Sequence, residues 1–172
     1  MSSIEHKLQS PASVSCKIIT VSDTRTADTD KSGQLISKLI KEAGHEIAQY
    51  EIIPDEEALI KNAVKSGCMS DQVDVILING GTGIAKRDVT IEAVQSLLEK
   101  EIPGFGELFR MLSYQEDIGS SAILSRAVAG VGDDTVIFSM PGSSGAVRLA
   151  MEKLIIPELG HTVREVRKDL MG

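Results

Sequence analysis

The nine residues Gly80-Gly81-Thr82-Gly83-Ile84-Ala85-Lys86-Arg87-Asp88 gather three glycines, a hydroxyl, two cations and a carboxylate in one short stretch. Glycine lets a backbone approach a ligand closely and take positive φ. Free N–H groups in such a loop, and in the first turn of a helix behind it, make a seat for an anion. The Thr82 hydroxyl and the Lys86-Arg87 charges are placed to assist. The block is not a Walker loop, because G-x-x-x-x-G-K-[ST] occurs nowhere in the chain. Nor is it a dinucleotide fingerprint: counted from Gly81 and Gly83, the third glycine would fall at Lys86. A glycine turn leading into a capped helix accounts for the same residues without a ligand.

A second small-residue loop, Pro141-Gly142-Ser143-Ser144-Gly145, offers two hydroxyls and free N–H groups where a strand gives way to a helix. Phosphate binding and a plain N-cap by Ser143 or Ser144 both fit it. The G-x-S-x-G nucleophile elbow does not, because the spacing is one residue short. Asp55 and Asp88 stand at loop–helix junctions. Singly, each reads as an N-cap. Together, beside two anion-binding loops, they would repel phosphates unless Mg²⁺ lay between them. Such an ion suits phosphate-anhydride chemistry: it holds a polyphosphate, neutralises developing charge and aids the leaving group. Asp23, flanked by Ser22 and Thr24, belongs to the same cluster or to ordinary turn chemistry. No histidine and no cysteine falls in these loops, so nucleophilic hydrolysis finds no support.

These loops need a scaffold, and the hydropathy pattern supplies one. Short runs rich in β-branched residues predict buried strands over 16–21, 45–53, 74–79 and 135–140, with a shorter one over 128–131. Between them lie helical patterns. Leu35, Ile36, Leu39, Ile40 and Ala43 recur at helical spacing before a Gly44 stop. Further helices are expected over 55–66, capped by Asp55, then over 90–100 and 107–115, and over 146–156 and 158–170, separated by Pro157. A helical turn is expected over 121–126, and Pro103 to Gly106 reads as a turn. Strand–helix alternation predicts a three-layer α/β fold, a mostly parallel sheet with helices on both faces. Ligands in such sheets bind beyond the C-terminal ends of the strands, which is where the loops at 22, 54–55, 80–88 and 141–145 fall.

Composition narrows the function classes. The 172 residues are the size of a single domain, expected over 15–172 behind a flexible N-terminal arm over 1–14. A net charge of −7 disfavours nucleic-acid binding. Five aromatics and no Trp leave little for base stacking and imply an aliphatic core. No run approaches the roughly 20 apolar residues of a membrane span, and the N-terminus lacks a signal-peptide core. Cys16 and Cys68 make no disulfide framework, and the three histidines show no zinc-ligand spacing. A cytoplasmic protein is expected.

Taken in order, the blocks VSDTR (21–25), IIPDE (52–56), GGTGIAKRDVT (80–90), IPGFGELFR (102–110), AILSRAVAG (122–130) and MPGSSGAV (140–147) resemble the MoaB/MogA family of molybdenum cofactor biosynthesis, with a length that suggests the MoaB branch. The resemblance runs from about residue 15 to 165. It implies a molybdopterin-binding fold that assembles as a homotrimer or hexamer. The implied reaction is Mg-ATP-dependent adenylylation of molybdopterin, with pyrophosphate leaving and the product passing to a molybdenum-insertion protein. A non-catalytic pterin-binding paralogue is the alternative. Asp55 and Asp88 match the family's two functional aspartates, and the loops at Gly80–Gly83 and Pro141–Ser144 match its ligand-binding loops. Related adenylyltransferases often carry a second proline after the PG turn, where this chain has PGSSGAV. Glu107 and Arg126 are weaker candidates. No base-reading residue is evident.

Overall fold

A computed structural model describes residues 2–170; Met1, Met171 and Gly172, at the ends of the expected arm and domain, lie outside the described residues. Four strands, β1 (Ser15–Val21), β2 (Glu46–Ile53), β3 (Val75–Asn79) and β6 (Thr135–Met140), run parallel in one sheet. Two more, β4 (Lys100–Glu101) and β5 (Val128–Gly132), add an antiparallel hairpin-like edge, giving the order β2-β1-β3-β6-β5-β4. Every residue of β3 and β6 is buried, as unalternating apolar runs require when a sheet is covered on both faces.

The two faces carry separate cores. On one, Cys16, Ile18 and Leu77 pack under α2 (Lys31–Glu42), α5 (Pro103–Glu116), α6 (Ser144–Ala150) and α7 (Ile156–Arg167). On the other, Ile19, Ile76, Ile78 and Ile137 pack under α3 (Glu57–Cys68) and α4 (Thr90–Gln95). The three-layer α/β expectation is met. The core is less purely aliphatic than composition implies, because Phe105, Phe109 and Phe138 meet on the first face, with Phe105 and Phe138 edge-on at 5.2 Å. Cys16 is fully buried there, and desolvation pushes its thiol up to about 12, so it is an inert core residue.

Several element boundaries differ from the pattern-based expectation, each for a physical reason. The 55–66 helix starts later, at Glu57, with Glu56 at the cap position and no side-chain cap bond, so Asp55 is not the N-cap. The 90–100 helix ends at Gln95, and Lys100–Glu101 pair with β5 instead. PGFG is helical: Pro103 sits in the first turn, where its missing N–H costs nothing. Gly106 is needed there because a Cβ would stand 2.7 Å from the Ala127 carbonyl oxygen. Pro157 does not interrupt the helical path. A π-turn over Met151–Ile155 widens the chain ahead of it, and α7 follows directly. The 121–126 turn is a 3₁₀ helix over Gly119–Leu124. Finally, residues 1–14, expected as a flexible arm, contain α1 (Ser3–Leu8). Ser2 and Glu5 close a reciprocal capping box there, and α1 packs on α7.

Candidate functional site

Register brings the loops together. Thr20, Asn79 and Met140 stand in line across β1, β3 and β6, and Val21 pairs with Ile53 of β2. The four strands therefore end at one level, and the loops behind them enclose a cleft of about 600 Å³. Its walls include Ser22, Asp23, Thr24, Asp55, Gly80, Gly81, Thr82, Gly83, Asp88, Pro141 and Gly142. Eleven of the thirteen expected site residues thus converge. Ser143 and Ser144 do not line the cleft. Ser143 is the N-cap of α6, its Oγ accepting from the Ala146 N–H at 3.2 Å, and Ser144 opens that helix on an exposed face. The plain capping reading holds for Ser143 and not for Ser144.

Two glycines of the central loop are dictated by geometry. Gly80 takes φ +97, and a Cβ there would lie 2.3 Å from the Val21 carbonyl oxygen. Gly81 takes φ +66, and a Cβ there would lie 2.1 Å from Thr90 Oγ1 and 2.9 Å from Asp55 Oδ1. The missing Cβ of Gly81 is what lets the Thr90 hydroxyl and the Asp55 carboxylate both approach this turn. The Gly80 N–H donates to the Met140 carbonyl, welding this loop to the end of β6.

Asp55 caps no helix, and its carboxylate lines the cleft. Partial burial pushes its carboxyl above the ordinary aspartate value, with Asp23 and Asp88 adding repulsion and Arg87 opposing it. Asp88 is not a helix cap either. Its Oδ2 accepts from the Ala85 N–H at 3.0 Å and closes the 85–88 turn, while Val89 precedes α4. Asp23 serves as a clamp: Oδ1 accepts from the Asp55 N–H at 2.9 Å, and Oδ2 pairs with Arg87. Ser22 shapes its own turn by accepting from the Thr24 and Arg25 N–H groups. Thr90 is fully buried, and among the described residues its Oγ1 has no hydrogen-bond partner. The Asp55 and Asp88 carboxylates of one cleft, with the unsatisfied Thr90 hydroxyl next to Gly81, are oxygen donors of the kind that a hard divalent cation such as Mg²⁺ takes with water in its shell.

Three arginines complete the cleft: Arg87 and Arg126, which the sequence already offered as candidates, and Arg25, which it did not single out. Arg25 donates to the Gly142 carbonyl at 3.0 Å and to Ser32 Oγ at 2.5 Å, tying the first loop to the last. Beneath it, the fully buried Asp30 accepts from Thr20 Oγ1 at 2.6 Å and from the Gly33 N–H at 3.0 Å. Asn79 bridges Thr20 and Ser32 in the same network. Arg126 Nε donates to the Thr82 carbonyl at 3.0 Å and Nη2 to that of Gly83 at 2.7 Å, bracing the glycine loop while pairing with Glu92. That pairing holds the Glu92 carboxyl below its usual range. Leu124 and Ser125 also line the cleft. The signal for Arg25 lay in its nearness to Asp23; for Leu124, Ser125 and Arg126 no local pattern marks the contact. Glu107 lies away from this cleft, on a neighbouring one it shares with Arg110 and Arg126.

The sheet and cleft define the class: an α/β protein with a cleft lined by acids and arginines at the carboxyl edge of the parallel strands. Comparison then gives the family. A family profile described as a probable molybdopterin binding domain matches residues 17–161. Molybdenum cofactor biosynthesis protein B of Bacillus subtilis (strain 168) is 64% identical over 169 residues, covering 98% of this chain and 99% of the relative. A crystal structure of molybdenum cofactor biosynthesis protein B superposes with a TM-score of 0.91 at 64% identity, covering 93% of this chain and 99% of that one. The tungsten cofactor synthesizing protein MoaB from Pyrococcus furiosus superposes at 0.81 with 38% identity, covering 91% and 99%. The chain belongs to the MoaB/MogA family of molybdenum cofactor biosynthesis.

Proposed function

We propose that the protein is a molybdopterin adenylyltransferase. The terminal phosphate oxygen of molybdopterin attacks the α-phosphorus of ATP, a new P–O bond forms, the bond to the bridging oxygen breaks, and pyrophosphate leaves with that electron pair. The observation that carries this reading is the meeting of Asp55 and Asp88 with the glycine loop in one cleft. Asp55 and Asp88 are the residues that would hold Mg²⁺, which when bound supplies positive charge to the polyphosphate and the departing pyrophosphate. The glycine loop presents backbone N–H dipoles to phosphate without side chains in the way. Arg126 holds that loop rigid through two carbonyls, and Asp23 fixes Asp55 through its N–H. Arg25 keeps the Pro141-Gly142 turn in register with the first loop. Such preorganisation fixes dipoles before charge develops.

The setting is a cytoplasmic homo-oligomer, trimer or hexamer, that delivers its product to a molybdenum-insertion protein. Support for self-association comes from Met111 and Tyr114 on α5, Ile118 in the link after it, and Ile123 on the 3₁₀ turn whose last residue, Leu124, lines the cleft; all four are left exposed. A second reading, a pterin-binding protein without transferase activity, is favoured by one observation: Ser143 and Ser144 contribute no cleft contact. Pyrophosphate release separates the readings. The transferase releases pyrophosphate from Mg-ATP only when molybdopterin is added. A binding paralogue takes up pterin and releases none, and an unrelated nucleotide-binding module binds ATP indifferently to pterin.

A further inference from the structure

Two of the three histidines, 155 positions apart in the chain, meet where α1 lies on α7. The ligand atoms of His6, His161 and Glu165 all fall within 4.8 Å of one another, and each residue is half-buried. None lines the cleft described above. We propose that these three side chains form a binding site for a borderline divalent transition ion of the Zn²⁺ class, which pins the N-terminal helix to α7.

The geometry supports chelation at two points. His6 Nδ1 and Glu165 Oε1 are 3.1 Å apart, close to the edge of about 3.3 Å expected when two ligands sit about 2.0–2.1 Å from one tetrahedral ion. A cationic group already sits against two of the ligands, and an ion would have to displace it: Arg164 Nη1 is 2.5 Å from His6 Nδ1 and 3.0 Å from Glu165 Oε1. The other arm of the guanidinium reaches Gln9 Oε1 at 2.7 Å. Second, His161 Nδ1 is 2.9 Å from Glu158 Oε2. A carboxylate on one ring nitrogen fixes the imidazole and leaves Nε2 as the ligand, the arrangement that metal-binding histidines commonly show. Glu158 is itself tied to Lys7 of α1. Two imidazoles with one carboxylate select Zn²⁺, Co²⁺ or Ni²⁺ over Mg²⁺, so this site and the cleft take different ions. The remaining histidine, His45, is not part of it; its Nδ1 accepts from the Val14 N–H at 3.0 Å.

The test uses the untagged full-length chain, stripped of metal and held in excess Mg²⁺, titrated with Zn²⁺ and with Co²⁺ by calorimetry and visible absorption. One ion per chain, cobalt d–d bands of imidazole ligation, and slower trypsin cleavage after Lys7 are the expected results. His6→Gln and His161→Gln each weaken Zn²⁺ binding on the order of 100-fold, while Asp88→Asn leaves it unchanged. Circular dichroism confirms that the variants fold. Absence of Zn²⁺ and Co²⁺ binding up to about 1 mM, or equal affinity in the wild type and both histidine variants, overturns the proposal.

Discussion

Asp55 combines a strained electrostatic position with a specific backbone anchor. Its carboxyl is raised by burial and by Asp23 and Asp88, while its N–H is clamped by Asp23. The folded chain therefore holds more protons than the unfolded chain in the pH window just above the ordinary aspartate value of 3.8. Its contribution to stability falls as pH rises through that window. Asp55→Asn removes this repulsion. The variant is expected to melt about 1–2 °C above wild type at pH 7 without ligands, to lose the share of the acid-side pH dependence that Asp55 supplies, and to lose turnover. Calorimetry and a turnover assay on the same preparation check all three. Asp88→Asn keeps an oxygen for the Ala85 N–H, so the 85–88 turn survives. Turnover should fall about 10²-fold or more, equivalent to about 2.7 kcal/mol of barrier. Wild-type turnover in a folded Asp88→Asn protein contradicts its assignment. Both aspartates were legible in the sequence as candidates, although the capping role that also fitted them is not the one either performs. Arg25 and Arg126 were far less legible, because their partners lie 117 and 44 positions away.

At the scale of elements, the strands were legible because β-branched apolar runs leave few alternatives when both faces are covered. The helix termini were less so, since tertiary contacts rather than caps fix them. PGFG shows this: two glycines argue for a turn locally, yet Gly106 is in a helix because α5 must pass close to Ala127. Pro157 shows the converse, a breaker absorbed by a π-turn. The glycine loop gives the sharpest test of element geometry. Gly44, at φ +86, has open space around its missing Cβ, so Gly44→Ala measures backbone strain alone, about 1–2 kcal/mol. Gly81→Ala adds a collision with Thr90 and Asp55. It should cost about 2 kcal/mol or more by urea denaturation and should also displace Asp55. Equal costs at the two positions would show that Thr90 yields freely.

At the scale of the molecule, composition excluded whole classes but said nothing of surfaces. Among the described residues, no helix is long and apolar enough to cross a membrane. The exposed Met111, Tyr114, Ile118 and Ile123 were invisible to pattern reading, because an apolar residue at helical spacing looks the same whether it faces its own core or a neighbour. Ile123 is 83% exposed. Replacing Met111 and Ile123 together by Glu should convert the expected oligomer to monomer by light scattering, with the circular dichroism spectrum unchanged; an unaltered mass would place the interface elsewhere. If the four loops form one adenylylating site, the α-phosphate of ATP ends on the pterin. Purified protein is mixed with molybdopterin and Mg-ATP labelled in the α-phosphate, and the pterin product is isolated. Label on the pterin is expected with the wild type, and its loss with Asp88→Asn. Pterin that is bound but unlabelled, under conditions where the wild-type protein is folded and magnesium is present, contradicts the claim.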